Sequence, residues 1–201
     1  MTLRLKADGL ACERGGRVVF RAISFAVRAS ELMQITGPNG SGKSSLLRLI
    51  AGLNEASEGS IQLDGGHADL SIGQQAHLVA HDEAVKSALT AAENISFWSA
   101  FLGGGETEAA LAAFDLTRLS GYPAGFLSAG QKRRLALTRL VAVPRAIWLL
   151  DEPTVGLDQV SLQRLEVAMA KHLAKGGLIV AATHVSLGLE PDVRLDLGGR
   201  S

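Results

Sequence analysis

The sequence predicts an α/β fold: a parallel-sheet core, an N-terminal antiparallel β subdomain and a short helical insert. Three observations predict it. The first third is strand-like, and residues 2–7 alternate apolar and polar side chains with period two. Residues 32–36 are a short, mainly apolar strand, and 146–150 and 178–182 are continuous apolar runs; helical stretches separate them, as in a parallel sheet covered on both faces. The stretch from about 83 to 124 is rich in Ala, Leu and Glu, which marks the helical insert.

Each element follows in order. Leu3, Leu5 and Ala7 alternate with Thr2, Arg4 and Lys6, a half-buried strand. Residues 17–20 and 23–27 read as two further β-rich runs, and Ile61-Gln62-Leu63 is a strand ended by an Asp64-Gly65 turn. Residues 32–36 run into a glycine-rich loop, after which Leu46, Leu49, Ile50 and Leu53 share one face of a helix over 43–53. Two helices, about 87–101 and 106–116, flank Gly103-Gly104-Gly105. A helix follows residues 127–131 and ends at Pro144, and another spans about 159–175 before Gly176-Gly177.

Composition narrows the function. Lys+Arg and Asp+Glu are 20 each, so the balance gives no support to nucleic-acid binding, which shows a basic excess. The single cysteine, Cys12, excludes an intrachain disulfide and suggests a reducing compartment. No run reaches the roughly 18 apolar residues of a membrane helix, and the N-terminus lacks the apolar core of a signal peptide. His67, His77 and His172 are scattered and read as solvated side chains, not ligands.

Gly37-Pro38-Asn39-Gly40-Ser41-Gly42-Lys43-Ser44 fits G-x-x-x-x-G-K-[ST] between a strand and a helix. Glycines let the backbone close around phosphates, and the N–H groups of the loop and helix N-terminus, through Ser45, then face the negative charge. Lys43 would reach the β- and γ-phosphates and the Ser44 hydroxyl would bind Mg²⁺. Asp151 and Glu152 end the apolar run 147–150, at the strand end where parallel sheets bind ligands. Asp151 would hold Mg²⁺ through water and Glu152 would orient the attacking water. Leu127-Ser128-Ala129-Gly130-Gln131 opens a basic, apolar helix. Ser128 and Gln131 form a capping-box pattern. Gly130 in the first turn lowers helix propensity by about 1 kcal/mol, so stability alone does not ask for it.

These motifs together resemble the ATP-binding cassette (ABC) ATPases, over nearly the whole chain. The resemblance implies a P-loop NTPase core of the RecA-like kind, in a single nucleotide-binding domain over 1–201 with a helical subdomain at about 83–135. Residues 37–44 correspond to Walker A, 147–151 to Walker B, Glu152 to the catalytic glutamate, 127–131 to the signature, 156–158 with Asp158 to the D-loop, and His184 to the switch histidine. It implies ATP and Mg²⁺ as ligands and a head-to-tail pair of subunits. Each ATP would lie between Lys43 of one copy and Ser128–Gln131 of the other. Ala129 stands where the family has the first glycine of the signature. Arg14 stands where the family often has an adenine-stacking aromatic residue, with Phe20 as an alternative. His81 stands at the Q-loop position, with Gln74 and Gln75 as rivals that precede the strand at 78–80.

Within the family, the details resemble the haem-exporter ATPases of cytochrome c maturation, in residues 34–53, the histidine at 81, residues 127–140 and residues 176–184. That resemblance implies separate integral membrane subunits as partners and a peripheral place on the cytoplasmic face of the inner membrane. A different cargo, or a non-transport ABC ATPase, are the competing readings. The insert at 83–124 is the expected contact with the membrane subunits.

Overall fold

The computed structural model describes residues 2–80 and 84–198. Its contacts cluster in two units, one of 1–80, 145–153 and 171–201, the other of 81–144 and 154–170.

In the first unit, the alternation at the N-terminus becomes β1 (Arg4–Arg14), with Leu5 and Ala7 buried and Arg4 and Lys6 exposed. The two β-rich runs after it form one long strand, β2 (Arg17–Arg28), not two. Ala22, at φ 53, is what separates them: the register with β1 slips there, so the strand bulges instead of ending. β4 (Glu58–Asp64) pairs with the other edge of β1, giving an antiparallel sheet of order β2-β1-β4. The second sheet is parallel, with order β5-β6-β7-β3-β8. Its strands are β3 (Leu32–Thr36), β5 (Ala76–Val79), β6 (Ile147–Asp151), β7 (Leu178–Ala182) and β8 (Val193–Asp196). Every residue of β6 and β7 is buried, which is why 147–150 and 178–182 read as unbroken apolar runs. Helix α1 (Lys43–Ile50) packs Leu46, Leu47 and Ile50 into a core shared with both sheets. It stops three residues short of expectation, where Gly52 takes φ 70.

Two of the histidines are not solvated. His77 on β5 is 3 % exposed. The His172 ring stacks on Trp148, with centroids 4.1 Å apart and 12° between planes. Its Nε2–H donates to the Leu178 carbonyl at 3.2 Å. Gly177 is required beneath it, since a Cβ there would strike the imidazole. Burial pushes the His172 pKa down to about 4, against smaller upward pulls from the Leu178 and Ala146 carbonyls. Between about pH 4 and 6.5 the unfolded chain therefore binds more protons, and stability falls as pH drops through that window. We expect His172 to account for a loss of roughly 2–3 kcal/mol on going from pH 7 to pH 4. Urea midpoints compared with those of His172→Phe, which keeps a ring on Trp148 and cannot titrate, measure it. Equal pH slopes in the two proteins would refute the assignment.

The second unit is helical: α2 (Ala91–Leu102), α3 (Thr107–Ala113), α4 (Ala129–Ala142) and most of α5 (Gln159–Ala174). α2 begins four residues later than periodicity predicts. Thr90 and Glu93 close a capping box that fixes the start at Ala91. The stretch before it is held instead by the Asn94 amide, which accepts from Lys86 N at 2.8 Å and donates to the Lys86 and Leu89 carbonyls. α3 also ends early, because Asp115 takes φ 56. The freed carbonyl of Phe114 accepts from Arg134 at 3.2 Å, which places a cation at the helix C-terminus. Among the described residues no helix is long and apolar enough to cross a membrane.

Candidate nucleotide-binding site

Three loops leave the same edge of the parallel sheet. β6, β7 and β3 are neighbours, and their register sets Ile35, Ala182 and Asp151 level with one another. The residues that follow therefore emerge side by side: Gly37 to Ser44 after β3, Glu152 after β6, His184 after β7. This is the carboxyl edge, where ligands of parallel sheets bind.

The glycines of the loop are fixed by close approach. Gly37, at φ 135, touches the backbone of Leu197 and Gly198 beyond β8, and a Cβ there would sit 2.8 Å from Ser41 Oγ. Gly42, at φ 98, lies against Val19 and Phe20 of β2. It is also the residue before α1, so the first N–H groups of that helix have no intrahelical acceptor, and Leu46 N is the first to bond back, to Gly42 O at 2.8 Å. Ser41 Oγ is buried without a hydrogen-bond partner. A glycine cradle, a helix N-terminus and an orphaned hydroxyl fit a phosphate chain.

Lys43 is 8 % exposed. Its Nζ donates to Gly37 O at 2.6 Å and Pro38 O at 3.2 Å and lies 3.1 Å from Nε2 of His184. Asp151 is buried and Ser44 is exposed. Both offer hard oxygen atoms, the donor type Mg²⁺ takes. Glu152 carries a feature no sequence pattern announces: its backbone is left-handed, φ 44, held by Glu152 N donating to Ala182 O at 2.9 Å. Non-glycine residues in this region cost of order 1–3 kcal/mol and gather at functional sites. Thr183, fully buried, locks the turn before His184 by donating its N–H to Ile35 O and accepting at Oγ1 from Val185 N.

Arg14 is exposed at the Gly15-Gly16 turn of the β1–β2 hairpin, the same hairpin whose Val19 and Phe20 touch Gly42. Phe20 itself is 5 % exposed, with its ring in the core against Gly42, so it is not a free stacking surface. Gln75 is buried and ties down its own loop, accepting from His67 N at 2.7 Å and donating to His67 O and Leu70 O. Gln74 accepts from Ser71 N. Both glutamines are thus engaged locally, whereas His81 lies outside the described residues.

In the helical unit, Ser128 caps α4. Its Oγ accepts from Gln131 N at 3.3 Å, and Gln131 Oε1 accepts from Ser128 N at 2.8 Å, a closed capping box. Gly130 has a second constraint that the sequence does not reveal: a Cβ there would lie 3.2 Å from Gly156 O. The stretch 154–158 therefore lies against the start of α4. Asp158 accepts from Ser161 N at 2.8 Å at the start of α5, and Ser161 holds its carboxyl below the usual carboxylate range.

A phosphate-binding α/β sheet joined to a helical unit with a capped glycine helix start defines a nucleotide-binding cassette. Residues 20–155 match the ABC transporter family model, and the chain belongs to that family. It is 51 % identical over 189 residues to the cytochrome c biogenesis ATP-binding export protein CcmA of Nitrobacter winogradskyi, covering 93 % of this chain and 94 % of that one. It is 49 % identical over 199 residues to the protein of the same name from Bradyrhizobium diazoefficiens, covering 98 % and 99 %. A solved ATP-binding cassette, a dimer in a post-hydrolysis state bound to ADP and Pi, superposes with TM-score 0.78 at 25 % identity, over 90 % of this chain and 88 % of that one.

Proposed function

We propose that the chain is the ATP-hydrolysing subunit of an ABC transporter complex that exports or delivers haem for c-type cytochrome biogenesis. The observation that carries the reading is the meeting of Lys43 and His184 at 3.1 Å beside the strand ends that bear Asp151 and Glu152. The relatives' names favour this cargo over another transported by the same chemistry.

The loop from Gly37 to Ser45, with Pro38, Asn39, Gly40 and Ser41, receives the phosphates of ATP on its N–H groups. Lys43 exchanges the carbonyls of Gly37 and Pro38 for β- and γ-phosphate oxygens, which are charged and so stronger acceptors. Ser44 and Asp151 would hold Mg²⁺, which when bound neutralises phosphate charge. Among the described residues no group of three or more His, Cys, Asp or Glu forms a metal cage, which suits an ion completed by phosphates and water. Glu152 orients a water and takes its proton as the oxygen attacks the γ-phosphorus and the bond to the β-phosphate oxygen breaks. ADP and phosphate leave. His184 parts from Lys43 and fixes the attacking water beside the γ-phosphate. Arg14 stacks its guanidinium on the base.

A second copy, packed head to tail, presents Leu127, Ser128, Ala129, Gly130 and Gln131 to the γ-phosphate, where the helix N-terminus adds partial positive charge. Asp158 belongs to the turn between the two sites. Closure and reopening move separate integral membrane subunits, with the chain peripheral on the cytoplasmic face of the inner membrane. The tested consequence is association. A tagged chain extracted from membranes in mild detergent co-purifies with integral membrane subunits, and its deletion removes haem-stained c-type cytochromes. Normal cytochromes after deletion, and a chain recovered without any membrane protein, would sink the reading.

A further inference from the structure

The unit that carries the phosphate loop exposes no Phe, Tyr or Trp ring among its described residues: Phe20, Phe25 and Trp148 are 5 %, 9 % and 3 % exposed. Of the two side chains considered above for the base, Arg14 is exposed and Phe20 is buried. The helical unit differs. Phe126, two residues before the Ser128 cap, is 85 % exposed, the most exposed large hydrophobic side chain described.

A lone exposed Phe is ordinary. This one is presented by a rigid turn. Its neighbours Ala124 and Leu127 are buried anchors. Phe126 N donates to Pro123 O at 3.0 Å and Leu127 N to Ala124 O at 3.2 Å. Ala124 N and Gly125 N donate to Leu89 O and Ser87 O, each at 2.8 Å, and Gly125 O accepts from Lys132 of α4. Gly125 sits so close to Ser87 O that a Cβ would lie 3.2 Å from it. Leu127 is extended, at φ −72 and ψ 144, so the ring is carried about 7 Å along the chain from the cap. Burying an anchored ring costs little conformational entropy, because the turn has already been ordered.

We propose that Phe126 supplies the stacking face that the phosphate-loop unit lacks, by packing on the purine of the ATP held by a second copy of this chain. The proposal rests on the head-to-tail reading above. It makes each nucleotide site complete only in the pair, with Arg14 on one face of the base and the second copy's ring on the other.

The probe is 1,N6-etheno-ATP, whose emission is quenched when its base stacks. In the slow Glu152→Gln protein, it drives dimerisation on gel filtration and is quenched as the dimer forms. Adding Phe126→Ala removes the quenching and raises the half-saturating nucleotide concentration about 5- to 150-fold, from a stacking contribution of about 1–3 kcal/mol. Adding Phe126→Tyr retains both. Dimerisation with unaltered quenching and affinity in Phe126→Ala overturns the proposal and leaves the head-to-tail reading intact. So does a Phe126→Ala chain that loses its membrane subunits while quenching persists, since the ring then serves that partner. Absence of any nucleotide-dependent dimer overturns the reading and the proposal together.

Discussion

Glu152→Gln lowers ATP turnover about 10²–10⁴-fold, the range general-base assistance supplies. It leaves nucleotide binding and the unfolding midpoint close to those of the parent protein. The substitution isolates chemistry from structure for a specific reason. Gln and Glu are nearly isosteric, so the left-handed backbone at φ 44 and the N–H bond to Ala182 O are kept. What the substitution changes at the phosphate is the ability to take a proton and to repel negative charge. Single-turnover hydrolysis is the measurement. Bound ATP should persist, and the dimer with it, because closure no longer ends in hydrolysis. A turnover rate equal to that of the parent protein would remove Glu152 from the mechanism.

Gly130→Asp abolishes hydrolysis while the isolated chain still binds ATP at its own phosphate loop. The helix itself tolerates an acid there, since a carboxylate in the first turn favours the dipole. What it does not tolerate is a phosphate nearby: two like charges 4 Å apart repel by about 1 kcal/mol in water and about 4 kcal/mol near a protein surface. A steric effect is present too, because any Cβ at 130 meets Gly156 O at 3.2 Å. Gly130→Ala separates the two. It asks the Gly156 carbonyl to yield by a few tenths of an ångström, and we expect partial activity from it, against none from the acid. Nucleotide binding measured at concentrations that keep the chain monomeric, alongside hydrolysis rates, reads both effects. If Gly130→Asp lost nucleotide binding as a monomer, the 127–131 stretch would be acting within its own chain.

β7 and residues 147–150 of β6 are legible because burial on both faces leaves no polar positions to confuse the period, and β3 is legible from the glycine-rich loop and helix that follow it. β8 was not read: its Val193-Arg194-Leu195-Asp196 is a short half-buried edge strand with only two apolar residues. Yet the residues just after it, Leu197 and Gly198, lie beside Gly37 at the start of the phosphate loop. The late start of α2 was readable in principle, from Thr90 and Glu93 at capping-box spacing. Helical periodicity outweighed it. The burial of His172 is hidden for another reason: nothing local shows that a helix end will lay an imidazole on a tryptophan 24 positions earlier in the chain. For the candidate site, the loop could be named from its motif, the two acids from their place at a strand end, and His184 from the family resemblance. The strain at Glu152, the Lys43–His184 contact and the contact of Gly130 with Gly156 could not, because each depends on chain segments distant in sequence.

The backbone of Glu152 sets two selections against each other. Glycine adopts its conformation without strain, so a protein bred only for heat resistance drifts towards glycine at 152 and grows more durable as it falls silent. On the mechanism proposed above, a working lineage must keep returning the carboxylate to a position where the fold would rather have no side chain at all.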